Sequence, residues 1–132
     1  MSRTTALQRG RAMAEQGMVD TVTITRETGE TTDPISAVVT PTYIQIYSGM
    51  CEIKQDKADP RTEEVAEAHL LLVDRILKLP VTTSLGILAE DRVVVDTCVN
   101  DPNLVGRTFR VRGEFDASWT TARRLVIQEA TS

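Results

Sequence analysis

Apolar and polar residues alternate with period two over most of this chain, and helical spacing is clear only in its opening segment. Residues 5–16 hold good helix formers, Ala6, Leu7, Ala12, Met13, Ala14, Glu15 and Gln16. Thr4 or Thr5 is placed to cap this helix and Gly17 to close it. Its apolar stripe of Leu7, Gly10, Ala14 and Met18 is thin and flanked by Arg9 and Arg11. So little apolar area holds a helix weakly to its own domain, which leaves it loosely docked or lying against a partner. From residue 19 to 27, Val22 and Ile24 alternate with Thr21, Thr23 and Thr25, the pattern of a half-buried strand.

Turn chemistry in Thr28-Gly29-Glu30-Thr31-Thr32-Asp33-Pro34 ends that strand. The loop extends toward Pro41, with Ala37-Val38-Val39 able to pair briefly. Residues 42–55 are extended again, with Ile44 and Ile46 on one face, Tyr43, Gln45 and Tyr47 on the other, and Ser48-Gly49 as a bulge before Cys51 and Ile53. A charge-mixed loop covers 56–64.

Residues 65–79 fit two patterns. Val65, His69, Leu72, Val73, Ile76 and Leu77 fit a helical stripe, whereas Leu70-Leu71-Leu72-Val73 and Leu77-Lys78-Leu79-Pro80 fit a strand buried on both faces. The extended reading is adopted, because a helix here would interrupt the sheet that the flanking strands need. Beyond a connector over 81–88, Ala89-Glu90-Asp91 turns into the strand Val93-Val94-Val95. In the next two strands Phe109 and Val111 oppose Arg110 and Arg112, and Leu125 and Ile127 repeat the alternation. Short strands bounded by Gly, Pro, Asn and Asp predict a mainly β protein: a small antiparallel barrel over 19–132, preceded by the helical segment 1–18, with long loops between strands. Val22, Ile24, Ile44, Ile46, Ile53, Val94, Val111, Leu125 and Ile127 are its expected interior.

At 132 residues the chain fits one domain with a core that needs no staple. Its five aromatics, Tyr43, Tyr47, Phe109, Phe115 and Trp119, leave that core to Val, Ile and Leu. The net charge of −4 does not favour DNA or an anionic membrane. No apolar run has the length of a membrane span, and the N-terminus lacks a signal-peptide core. The charge is uneven: residues 52–67 carry six carboxylates against three basic residues, whereas 107–124 carry five arginines against Glu114 and Asp116. Two readings stay open for this split, solvated strand faces or complementary edges where identical subunits meet. On the second, Arg9, Arg11, Arg110, Arg112, Arg123 and Arg124 are the candidate subunit or partner contacts.

Residues for chemistry are sparse. His69 is the sole imidazole, in an apolar run and without a partnered nucleophile. Cys51 and Cys98 form no CxxC pair and read as two buried thiols; a zinc site would need further ligands. Asp56 and Asp59, the nearest thing to a cation pair, lie in a polar Pro-containing loop. Glu52-Ile53-Lys54 matches the Glu-x-Lys tail of a metal-dependent nuclease core, but Asp33-Pro34 reverses the usual Pro-Asp order. No phosphate loop is present. No enzyme activity and no cofactor are expected. Arg107, Phe109, Arg110, Arg112, Phe115 and Trp119 come closest to a nucleic-acid platform, so a barrel of the oligonucleotide-binding type is the alternative function.

Several stretches together resemble the head-completion, or stopper, proteins of long-tailed bacteriophages. Within that group the chain is most similar to a small uncharacterised family of actinobacterial phages and prophages. The residues are Arg9-Gly10-Arg11-Ala12, Met18-Val19-Asp20-Thr21-Val22-Thr23-Ile24, Thr40-Pro41-Thr42-Tyr43 and Tyr47-Ser48-Gly49-Met50-Cys51. Further on come Leu77-Lys78-Leu79-Pro80, Glu90-Asp91-Arg92-Val93, Leu104-Val105-Gly106-Arg107-Thr108-Phe109-Arg110-Val111 and Thr121-Ala122-Arg123-Arg124. Proteins of that kind often have Gly where this chain has Glu90.

The resemblance implies a β-barrel, in line with the extended reading of 65–79. It implies a ring of identical copies in the virion neck, assembled in the host cytoplasm. The ring would have portal and adaptor proteins above, tail terminator or tail-tube proteins below and packaged double-stranded DNA through its channel, with no membrane partner. By position, the channel loop falls on Asp56, Lys57, Asp59, Arg61, Glu63 and Glu64, with residues 28–41 as the next candidate. A monomer or weak oligomer is expected in isolation, because free obligate rings need large apolar interfaces.

Overall fold

The computed structural model describes residues 2–55, 61–65, 68–72, 75–115 and 118–129. Helix α1 (Arg3–Gln16) leads into eight strands: β1 (Asp20–Thr32), β2 (Val39–Gln55), β3 (Arg61–Val65), β4 (Ala68–Leu72), β5 (Arg75–Leu79), β6 (Arg92–Thr97), β7 (Thr108–Phe115) and β8 (Arg123–Glu129). Six of them close an antiparallel barrel in the order β1-β2-β5-β8-β7-β6, and β3 and β4 form a separate two-stranded sheet. Each of the six strands therefore pairs with a neighbour on both sides over part of its length. The mainly β architecture with one N-terminal helix is as the alternation predicts, and the described residues of 65–79 are extended.

Alternation explains most of the core. Val22 and Ile24 on β1, Leu77 and Leu79 on β5, Phe109 and Val111 on β7, and Leu125 and Ile127 on β8 are all fully buried. Removing the Phe109 ring would cost on the order of 3–5 kcal/mol at such a site. Two expected core positions are wrong. Ile44 is exposed, and Val93 and Val95 point inward in place of Val94. On β2 the register steps from Ile24↔Tyr47 to Thr25↔Gln45, so Ile46 is an extra residue. This bulge puts Tyr47 on the inward face with Cys51, while Ile46 and Ile53 are partly buried. Ile44, the register partner of Arg26 on the Ile24 face, is exposed because it lies beyond the stretches that β5 and β6 cover. The bulge therefore lies at Ile46, not at Ser48-Gly49. Tyr47 satisfies its buried hydroxyl by donating to the Met50 carbonyl at 2.6 Å.

The turn expected over 28–34 is strand: β1 runs on to Thr32 and pairs through Thr32↔Val39. The expected loop 56–64 is corrected too, since Arg61, Glu63 and Glu64 lie on β3, paired with Leu72, Leu70 and His69 of β4. Asp56, Lys57 and Asp59 lie outside the described residues.

Helix α1 is capped one turn earlier than expected, by Ser2, whose hydroxyl accepts from the Thr5 amide at 3.1 Å. Leu7, Gly10, Arg11 and Ala14 are half-buried, and Met18 just beyond the helix is buried. Polar contacts and close approach, more than apolar area, hold the helix to the barrel. Arg11 Nε donates to the Thr120 carbonyl at 3.2 Å, and the Arg3 guanidinium stacks 4.0 Å from the Trp119 ring centre. At Gly10 a Cβ would come within 2.7 Å of Thr121 Cγ2, so glycine sets the approach distance.

Candidate docking surfaces

The ribbon formed by the ends of β1 and β2 is the most unusual part of the chain. β6 pairs with β1 only from Thr21 to Thr25, and β5 pairs with β2 only from Glu52 to Gln55. Among the described residues, the stretch 27–44 therefore pairs only with itself and projects from the barrel. Seven residues per strand at about 3.3 Å each give an arm of about 20 Å. At its tip the Asp33 carboxylate accepts from the amides of Ile35 at 2.8 Å and Ser36 at 3.4 Å. Those bonds hold its pKa below the ordinary aspartate range. Ala37 takes the left-handed conformation, φ 60°, that closes the turn. The arm exposes Ile35 almost completely, and Val38, Val39, Tyr43 and Ile44 by roughly half.

A bidentate ion pair anchors the root of the arm. Arg26 Nε and Nη2 donate to Asp91 Oδ1 and Oδ2, each at 2.9 Å, and Nη2 also reaches the Gly86 carbonyl at 2.7 Å. Asp91 is buried and accepts a further bond from the Leu88 amide at 2.8 Å. The Arg26 pKa rises because of its bond to Asp91. Next to Asp91, Glu90 holds a left-handed φ of 73°. This is the conformation that favours glycine, so Glu90 keeps the turn that a Gly-Asp pair would form.

Beside this turn lies an arginine row. Arg92 and Arg110 are register partners across β6 and β7, and Arg112 follows on the same outward face. Glu90 pairs with Arg112 at 2.7 Å and with Arg110 at 3.6 Å, Arg112 also donates to Gln128 Oε1 at 3.0 Å, and Arg92 lies over the Tyr43 ring. Exposed Leu85 and Leu88 sit on the loop leading into the same turn.

The six arginines singled out from sequence thus divide. Arg110 and Arg112 form the exposed row, and Arg9 lies exposed on α1. Arg11 and Arg123 serve the subunit's own fold: Arg123 Nε donates to Ser84 Oγ at 2.9 Å and Nη2 to the Val81 carbonyl at 3.1 Å. Arg124 is half-buried on another wall, paired in register with Lys78. The Lys78 pKa is lowered by burial and by the nearby Lys54. Arg26, Arg92 and the arm itself escaped the sequence reading. The signal for the arm was the β-branched run on both sides of Asp33-Pro34.

At one end of the barrel, a groove of about 550 Å³ is lined by Asp20, Glu52, Arg75, Cys98, Asp101 and Arg107, among others. Asp20 is buried and accepts from the Val99 amide at 2.9 Å. Cys51 is buried, with its thiol pKa pushed up to about 12 by burial and then by Asp20, so it stays protonated and unreactive. Cys98 is only half-buried, against the expectation of two buried thiols. Among the described residues no group of three His, Cys, Asp or Glu side chains is placed to hold a metal ion.

A family model matches residues 10–128. The chain belongs to the family of unknown function DUF6093. No curated protein matches it by sequence. Its fold is similar to the solution structure of protein SF1141 from Shigella flexneri 2a, with 17% identity and a TM-score of 0.51, covering 85% of this chain and 92% of that one. That likeness concerns the fold alone. The matched span includes the barrel, the arm and the arginine row, so all three belong to the family's region of the chain.

Proposed function

We propose that this DUF6093 protein is a head-completion connector of a tailed phage. In this reading copies of it form a ring in the virion neck, below the portal and adaptor, that helps retain packaged DNA and presents a docking surface to the tail. The observation that carries the reading is the projecting arm, 27–44, with exposed apolar residues at its tip. A solvated ribbon gains no stability from exposing Ile35, Val38 and Val39, whereas a docking element needs such residues. The resemblance of the motifs to stopper proteins supplies the assembly in which the arm would dock.

Within this reading the channel element is the β3–β4 hairpin, which carries Arg61, Glu63 and Glu64, and not an open loop. The arm takes the place of the second channel-loop candidate, residues 28–41. The oligonucleotide-binding alternative is not favoured, because Phe109 is buried in the core and Trp119 is stacked by Arg3, which leaves the outward arginines without the aromatic platform that base stacking needs.

Sedimentation with purified portal–adaptor particles tests the proposal. Saturable co-sedimentation, without measurable affinity for free DNA, is the expected result. Tight binding to oligonucleotides that falls steeply with salt, and none to the particles, would replace the connector by a nucleic-acid module.

A further inference from the structure

We infer that the arm docks onto the arginine row of a second copy of this chain, an inference that rests on the connector reading for its assembly context. Three features of the arm and its target fit together. The first is charge. Residues 27–44 contain Glu27, Glu30 and Asp33 and no lysine or arginine. Among the described residues, the row of Arg92, Arg110 and Arg112 has one carboxylate within ion-pair distance, Glu90, which leaves an excess of positive charge on the wall. The chain as a whole is acidic, so this wall stands out as a partner for an acidic strand pair.

The second feature is apolar matching. Ile35, Val38 and Val39 crown the arm, and Leu85 and Leu88, both more than half exposed, border the arginine row. An apolar contact ringed by charge pairs is the composition of a specific interface.

The third feature is the state of the arm's edges. The Asp33 amide donates to the Val38 carbonyl at 3.0 Å. Counting back along the alternating ladder makes Glu30↔Pro41 a pair whose backbone groups point outward. Proline at that site costs no ladder bond and removes the amide that the outer edge of β2 would offer to another strand. The β1 edge carries Glu27 and Glu30 instead. One edge is thus blunted and the other charged, which prevents uncontrolled strand addition and selects a basic surface. At about 20 Å the arm is long enough to cross onto an adjoining barrel.

Photo-crosslinking of the full chain at high concentration tests this contact. A benzophenone side chain is placed at Ile35, and equal amounts of heavy- and light-isotope protein are mixed so that mass spectrometry separates crosslinks between copies from those within one. Crosslinks between copies that map to 85–92 and 108–112 are expected. Glu30→Arg should lower their yield about tenfold, since it replaces an attraction to the arginine row by a like-charge repulsion, and adding Arg110→Glu should restore it. Crosslinks confined to one copy, crosslinks to another surface, or a yield indifferent to the charge swap would each overturn the inference. The same variants are also sedimented with portal–adaptor particles. Crosslinking that follows the charge swap in a protein that ignores the particles would leave the contact standing and remove the connector reading. Particle binding without the mapped crosslink would do the reverse.

Discussion

Replacing Asp91 by asparagine tests how the arm is held. The substitution keeps the shape of the side chain and removes its charge. Asp91 accepts three hydrogen bonds, two from Arg26 at 2.9 Å and one from the Leu88 amide at 2.8 Å. An asparagine can place its single carbonyl oxygen where Oδ2 accepts two of the bonds, but it then turns its amide N–H₂ toward Arg26 Nε. One bond is lost outright, and the bond kept to Arg26 loses the carboxylate's charge. Charge-assisted bonds at a buried acceptor contribute about 1.5–3 kcal/mol each. The Arg26 side chain is about one-third exposed, 32%, so water recovers part of that loss. The expected cost of Asp91→Asn is therefore about 2–3 kcal/mol, or about 10 °C in Tm for a chain of this size. Urea unfolding followed by circular dichroism measures the global cost, and hydrogen exchange over 27–44 measures the arm. Exchange there should quicken more than global unfolding explains, because the pair fixes the arm's root. The double variant Arg26→Gln/Asp91→Asn should cost less than the sum of the single ones. Asp91→Asn within about 0.5 kcal/mol of the parent would refute the anchoring role.

Other consequences are open to simple measurements. Gly10→Ala should lower Tm despite alanine's better helix propensity, because its Cβ meets Thr121 Cγ2. Pairing it with Thr121→Ser should reverse that loss and expose the helical gain of about 1 kcal/mol. Glu90→Gly should be more stable than Glu90→Ala by about 1 kcal/mol in denaturant titration, since both lose the arginine pairs and only glycine escapes the left-handed strain. The Asp33 carboxylate, stabilised by the Ile35 and Ser36 amides, should titrate below ordinary aspartate when followed by NMR. Its lowered pKa makes the turn's contribution complete above the unfolded aspartate value and lost as pH falls through the folded one, so the tip should loosen only in strong acid. Cys51 should resist alkylation at neutral pH until the barrel unfolds, its thiol being held up to about 12.

Where one strand face is buried and the other wet, the fold was legible in the sequence. Phe109 and Val111 against Arg110 and Arg112, and Leu125 and Ile127 after them, needed only the period of two. The pattern misled where that asymmetry fails. Val93-Val94-Val95 has no polar member to mark the outer face, so its parity came only from pairing with Phe109 and Ile24. A single bulge at Ile46 turned Tyr47 inward without a glycine to announce it. The arm is wet on both faces, which removes the alternation, and Gly29, Asp33 and Pro34 then read as a longer loop. The Arg26–Asp91 pair joins residues far apart along the chain, and no local spacing encodes it. Of the candidate contacts, Arg110 and Arg112 were legible as an exposed pair. Arg11 and Arg123 were not separable from them, because a structural arginine and a docking arginine have the same composition until their acceptors are known.

The connector reading meets its most direct test in electron cryomicroscopy of filled, tail-less heads from a phage that encodes this chain. The account predicts a closed ring of six-stranded barrels below the portal and adaptor, each arm lying across the next barrel. Heads from a deletion of the gene should lack that layer and lose their genome before tail attachment. Deletion heads that keep both an intact neck and their DNA would contradict it.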